Sequence, residues 1–164
     1  MKVLLLVMLC VGSMPAWSAS KVELTTRVPG VVEEVKVNAG QRVKKGDVLV
    51  RLNNVVFEAR VREAQADVDR NQVDEEDAKK DLDRGEELYK RTVTSTTELD
   101  AARLKFARAK ASLAAAQARL AIAQKNLADS VLRAPFNGVV AERLAEPGLV
   151  TTECQSKTLI ILSK

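Results

Sequence analysis

From Lys21 to about Leu52 the apolar positions come in short β-branched runs: Val31-Val32, Val35, Val37, Val43 and Val48-Leu49-Val50. Pro29-Gly30, Asn38-Ala39-Gly40 and Lys45-Gly46-Asp47 separate them. Runs of this length between glycine-bearing turns predict hairpin strands. From about Asn54 to Ser130 proline is absent, turn residues nearly vanish, and the apolar spacing becomes that of a helix. The strand-and-turn style returns from Val131 to Lys164.

Within the helical stretch, Leu99, Ala102, Phe106, Ala109, Leu113, Ala116, Leu120, Ala123 and Leu127 follow one another at steps of three and four. This is a heptad seam in which large and small residues alternate, so that a partner helix approaches closely beside each alanine. A matching but weaker seam runs through Phe57, Val61, Ala64, Val68, Asn71, Glu75, Ala78, Leu82, Gly85 and Tyr89. Asn71 and Glu75 are polar, and either set the register or soften the middle. Between the seams, Ser95-Thr96-Thr97-Glu98 fits a capping box, which starts the second helix at Ser95 or Thr96. Two long seams joined by a short turn near Arg91 to Ser95 predict an antiparallel hairpin. Helices of roughly 35 residues reach about 50 Å.

The two strand-rich flanks resemble each other. Arg27-Val28-Pro29-Gly30-Val31-Val32 is echoed by Arg133-Ala134-Pro135-Phe136-Asn137-Gly138-Val139-Val140, and a second glycine, Gly40 or Gly148, follows at the same interval. Each copy closes on an apolar strand, Val48 to Leu52 or Leu159 to Leu162. Neither half hides its own apolar face, so the two are expected to pack together and make the helical segment an excursion from one β-unit.

Composition agrees with this division. The 164 residues are 46% hydrophobic but only 3% aromatic, and alanine is abundant between Ala101 and Ala128, which favours helix-on-helix packing over a thick core. The formal charge of +4 comes from Lys and Arg interleaved with Asp and Glu, the pattern of a solvated surface. Apart from Arg42, Lys44 and Lys45 there is no basic cluster and no row of aromatic stacking positions, so nucleic acid is not an expected partner. Lys2, the apolar run Val3 to Val11 and the small residues around Ala16-Trp17-Ser18-Ala19 have the layout of a cleaved signal peptide over residues 1–19. The apolar run is well short of the ~20 residues a membrane span needs. Leu9 before Cys10 argues against lipidation there, and removal of the leader leaves Cys154 without an intramolecular partner.

Catalytic and metal chemistry find few footholds. Histidine is absent, and Met1, Met8 and Met14 all lie in the leader, which removes the usual ligands for zinc, copper or silver. Asp74, Glu75, Glu76 and Asp77 read as a solvated helix face. No phosphate loop or nucleophile elbow is present, so the chain is read as a non-enzyme without cofactor or metal. A lipoyl or biotinyl carrier would bear its modified lysine at the junction that the helical segment occupies.

In these features the chain resembles the periplasmic adaptor family, the membrane fusion proteins that include the HlyD-like and RND efflux adaptors. Gly30-Val31-Val32 to Leu52, Leu132-Arg133-Ala134-Pro135-Phe136-Asn137-Gly138-Val139-Val140 and Glu146-Pro147-Gly148 carry the likeness. The resemblance implies an α+β fold: a split lipoyl/biotinyl-like β-sandwich, or barrel-sandwich hybrid, interrupted by a long antiparallel coiled-coil α-hairpin. The expected layout is a leader over 1–19, one lipoyl-like half over 20–53, the hairpin over 54–130 with its tip near 91–95, and the second half over 131–164. The lipoyl-like turns fall at Gly30, Gly40, Gly46, Pro135, Gly138 and Gly148; Cys154 stands where the family pattern often has glycine. Val61, Val68, Leu82, Leu99, Phe106, Leu113, Leu120 and Leu127 are the principal seam residues.

Adaptors that dock on efflux-type channels carry an Arg, Leu, Ser signature at the hairpin tip, and Arg84, Leu88 and Ser95 stand at that spacing. The resemblance thus implies an adaptor of a tripartite efflux or secretion pump. It would be periplasmic, without a lipid anchor, and assembled as a homo-oligomeric ring. Its partners would be an outer-membrane channel and an inner-membrane transporter, the latter reached directly or through another adaptor. Taken singly, Ser95 is a helix cap, Leu88 a cover for the tip and Arg84 a solvated charge; together they suggest docking. The family normally continues into a β-barrel and a membrane-proximal domain beyond the position of Lys164. A coiled-coil scaffold or holdase, or a helper of a full-length adaptor, are the competing readings.

Overall fold

The short β-branched runs become strands β1 (Lys21–Leu24), β2 (Gly30–Val35), β3 (Arg42–Val43) and β4 (Val48–Leu52). Helices α1 (Val55–Lys90) and α2 (Thr96–Asp129) follow, then β5 (Val131–Arg133), β6 (Gly138–Arg143), β7 (Val150–Thr151) and β8 (Ile160–Ser163). The computed structural model describes residues 20–152 and 157–164, so the leader with Cys10, and Cys154, lie outside the described residues.

Neither flank forms a sheet of its own. One sheet has the order β1-β8-β6-β3 and the other β5-β4-β2-β7, all neighbours antiparallel. Exchanging each strand of the first flank with its counterpart in the second turns one order into the other. The chain repeat is therefore a structural pseudo-twofold, and each sheet is completed by strands from across the hairpin insertion. Hydrogen bonds obey the same relation: the Gly40 amide donates to the Val140 carbonyl at 2.8 Å, and the Gly148 amide to the Val32 carbonyl at 2.8 Å. Pairing registers slip at Val32/Glu34 and again at Val140/Glu142, the equivalent place, and such bulges add the twist that curls two small sheets around one core.

That core draws on both halves. Val32, Leu49, Val50 and Leu52 meet Val140, Leu159, Ile160 and Leu162 with almost no solvent access, and Phe57 from the base of α1 joins them. Complete burial of an aliphatic side chain contributes about 1.5–3 kcal/mol, so the two flanks stabilise each other and anchor the hairpin root.

Turn glycines serve two different needs. Gly40, Gly46 and Gly148 have φ of 82°, 94° and 86°, where a Cβ is strained. Gly30 and Gly138 open β2 and β6; a Cβ at Gly138 would meet backbone, and one at Gly30 the Leu52 side chain. Pro135 lies exposed between β5 and β6, beside the Ala134 carbonyl that accepts from the Gly46 amide at 2.8 Å.

At 36 and 34 residues, α1 and α2 each extend about 50 Å from this base. The seam positions of α2, Leu99, Ala102, Phe106, Ala109, Leu113, Ala116, Leu120, Ala123 and Leu127, are all buried or half-buried. On α1, Phe57, Val68, Asn71 and Ala78 are buried, and Val61, Ala64, Glu75, Leu82 and Gly85 are half-buried. Tyr89, counted with this seam from its spacing, is instead exposed at 43%, because the seam ends before the last turn of α1. Asn71 does not reach across to α2: its amide donates to the Asp67 carbonyl one turn back, at 2.6 Å. Polar registry between the helices comes from their edges, through Asp67–Arg119, Asp81–Lys105 and Glu86–Arg103. Among the described residues no helix is long and apolar enough to cross a membrane.

Candidate functional site at the hairpin tip

The far end of the hairpin is a five-position turn, Arg91 to Ser95, held by a termination motif on one side and an initiation motif on the other. The Thr92 amide donates to the Tyr89 carbonyl at 2.9 Å and the Val93 amide to the Leu88 carbonyl at 3.0 Å. This pair of bonds is a Schellman closure. Its left-handed residue is Thr92, with φ 62°, where glycine is usual. A β-branched residue is strained there, because its Cβ crowds the following carbonyl oxygen.

On the other side Ser95 caps α2. Its Oγ accepts from the Glu98 amide at 3.3 Å, and the Glu98 carboxylate accepts from the Ser95 amide at 3.1 Å, completing the capping box. The Thr94 hydroxyl donates to the same carboxylate. That hydroxyl, and then the Ser95 amide, hold the Glu98 carboxyl below its ordinary range.

Arg84 and Leu88 lie one turn apart in the last two turns of α1, and Ser95 stands across the turn as the N-cap of α2. Leu88 is 36% exposed, and Val93 adds an apolar side chain at 69% that nothing in its spacing marked beforehand. The Arg84 side chain is 71% exposed, and its guanidinium stands 3.6 Å from Asp81 Oδ1. Asp81 is shared: Lys105 of α2 donates to its other oxygen, Oδ2, at 2.6 Å. The Lys105 hydrogen bond and charge hold the Asp81 carboxyl below the usual carboxylate range, with Arg84 a smaller contributor, and Asp81 raises Lys105 in return. Both groups therefore stay charged across the physiological range. Spacing did not reveal this link, because its partners lie 24 residues apart and meet only when the two seams are set in register.

Among the described residues no group of three or more His, Cys, Asp or Glu side chains is arranged to hold a metal ion. What the tip offers is a contact surface: a cation, exposed apolar side chains and a hydroxyl-rich turn on the end of a stiff arm.

A barrel-sandwich hybrid that projects a coiled-coil hairpin is the architecture of solved membrane fusion and periplasmic adaptor proteins. A MacA–MexA chimera containing the Pseudomonas aeruginosa MexA α-hairpin domain superimposes with a TM-score of 0.60 at 24% identity, over 88% of this chain and 46% of that one. ZneB from Cupriavidus metallidurans does so with a TM-score of 0.62 at 22% identity, over 87% of this chain and 60% of that one. The chain belongs to the CzcB-like barrel-sandwich hybrid domain family, whose model matches residues 20–160. The multidrug resistance protein MdtA of Yersinia pestis (strain Pestoides F) is 26% identical over 147 residues, 90% of this chain and 33% of that protein. The chain spans about a third of the length of the curated relatives it matches.

Proposed function

We propose that this chain works as the periplasmic adaptor of a tripartite efflux or secretion pump. In this reading Arg84, Leu88 and Ser95 dock the hairpin tip on the periplasmic end of an outer-membrane channel. The β-unit faces an inner-membrane transporter, directly or through a second adaptor, and packs against copies of itself in a ring. The role is one of joining proteins, exported to the periplasm by a cleaved leader over residues 1–19.

The observation that carries the reading is the position of the signature. An exposed cation at Arg84 and exposed apolar side chains at Leu88 and Val93 lie over the last two turns of α1 and the turn that follows, toward the far end of an arm of about 50 Å. Contact between copies is supported by Val31 and Val150, cross-strand partners that remain 44% and 58% exposed on the β2–β7 edge. Paired apolar side chains left open on a sheet edge favour a protein neighbour.

Photo-crosslinkers introduced at Arg84 and at Ser95 test the docking. Capture of an outer-membrane channel protein in intact envelopes is expected from both positions; capture from neither position sinks the reading. Reversing the charge with Arg84→Glu is expected to abolish export while leaving the helical content unchanged. A scaffold or holdase that grips clients along the arm would instead keep its activity in that variant.

A further inference from the structure

The Arg84 guanidinium and the Lys105 ammonium compete for one carboxylate, that of Asp81. Asp81 sits one turn before it on α1, and on its own this acid would fold the arginine down against the helix. Lys105 of α2 takes Asp81 Oδ2 at 2.6 Å and also stands 3.7 Å from Asp77. Arg84 is left at 3.6 Å from Oδ1, too long for a hydrogen bond. On the opposite flank of the seam, Glu86 is approached from α2 by Arg103 at 3.9 Å. Lys105 of the second helix thus engages the acid that stands one turn before Arg84 on the first.

We propose that Lys105 is a positioning residue for the hairpin tip: by occupying Asp81 it keeps the Arg84 guanidinium open to carbonyl and carboxylate acceptors of a docking partner. This rests on the docking reading given above and adds the residue that sets the strength of the contact. A free guanidinium presents a planar fork of donors to such acceptors, whereas one already paired must first break that pair. The two helices must also be in register for Lys105 to reach Asp81, so the arginine is presented only by a correctly zipped hairpin.

The availability of Arg84 is measured directly by its rate of modification with phenylglyoxal, read by mass spectrometry against the exposed Arg108 on α2. In Lys105→Met, Asp81 turns to Arg84, and the Arg84 rate falls by about twofold to fivefold, the range expected of an exposed ion pair. Lys105→Arg retains the original rate, and adding Asp81→Asn to Lys105→Met restores it. An unchanged Arg84 rate in Lys105→Met, with circular dichroism showing intact helices, overturns the proposal. The second readout is capture of an outer-membrane channel by a photo-crosslinker at Val93. Capture should fall in Lys105→Met and return in the double variant. If the otherwise unaltered chain captures no channel, the docking reading fails, while the phenylglyoxal result still decides whether Lys105 governs Arg84.

Discussion

A Cβ placed on Gly138 would lie 2.4 Å from the carbonyl oxygen of Ser163, so β6 and β8 close on each other at a distance only a glycine permits. The pseudo-equivalent Gly30 has more room: its Cβ would meet the end of the Leu52 side chain at 3.2 Å, which needs to give by only a few tenths of an ångström. Gly138→Ala is therefore expected to destabilise the β-unit by about 1–3 kcal/mol, the range of overpacking, and Gly30→Ala by less. Denaturant melts of the two variants check the difference; equal losses would mean that the backbone approach at Gly138 is not limiting.

Ala116 and Ala78 are wholly buried in the α1–α2 interface, where small side chains let the helices approach. Ala116→Leu should cost about 1–3 kcal/mol by forcing them apart. Ala115→Leu, one position round on the exposed face, should change stability by only about 0.5 kcal/mol. Thermal unfolding followed at a helix-specific wavelength separates the two.

Thr92 holds the left-handed position of the Schellman closure at φ 62°. Replacement by glycine removes a Cβ penalty of about 1–2 kcal/mol and adds part of it back as unfolded-chain entropy. Thr92→Gly is expected to stabilise the hairpin by roughly 0.5–1 kcal/mol, read as slower amide exchange at Val93. Faster exchange would show that the threonine side chain contributes something its strain conceals.

Ser95 serves as both cap and docking candidate, and the two roles separate by substitution. Ser95→Ala should cost about 1 kcal/mol of helix stability, whereas Ser95→Asn, itself a good cap, should cost little. If the hydroxyl itself docks, both variants lose channel capture; if only the cap matters, the asparagine variant retains it.

Acid should loosen the same turn. The folded-state pKa of Glu98 is lowered by the Thr94 hydroxyl and then by the Ser95 amide. Its contribution is therefore complete above the ordinary glutamate range and is lost as pH falls through the lowered folded value. Protection of the Glu98 amide, its exchange rate relative to the intrinsic rate at each pH, should fall over that window, and Glu98→Gln should flatten the response.

Much of this molecule was readable from spacing. The seam of α2 needed only steps of three and four, since a helix repeats its face at that interval whatever it packs on. The Ser95 cap was legible because its motif is local, a hydroxyl and a carboxylate within one turn. The Schellman closure was not, because its usual glycine is replaced by Thr92, leaving no compositional mark. Asn71 was placed on the seam correctly, but spacing left open whether it sets the register or softens the middle; in the structure its amide is taken by the Asp67 carbonyl of its own helix.

The residue order alone determined that two similar glycine-marked flanks enclose a pair of helices, because periodicity and turn chemistry act over a few residues and need no partner. Tertiary structure decided how the flanks combine, interleaving their strands so that each sheet borrows from both, since pairing across a long insertion depends on which apolar faces meet. It also decided that Lys105 faces Asp81 and leaves Arg84 loosely held. That contact exists only once two helices running in opposite directions have settled into one register.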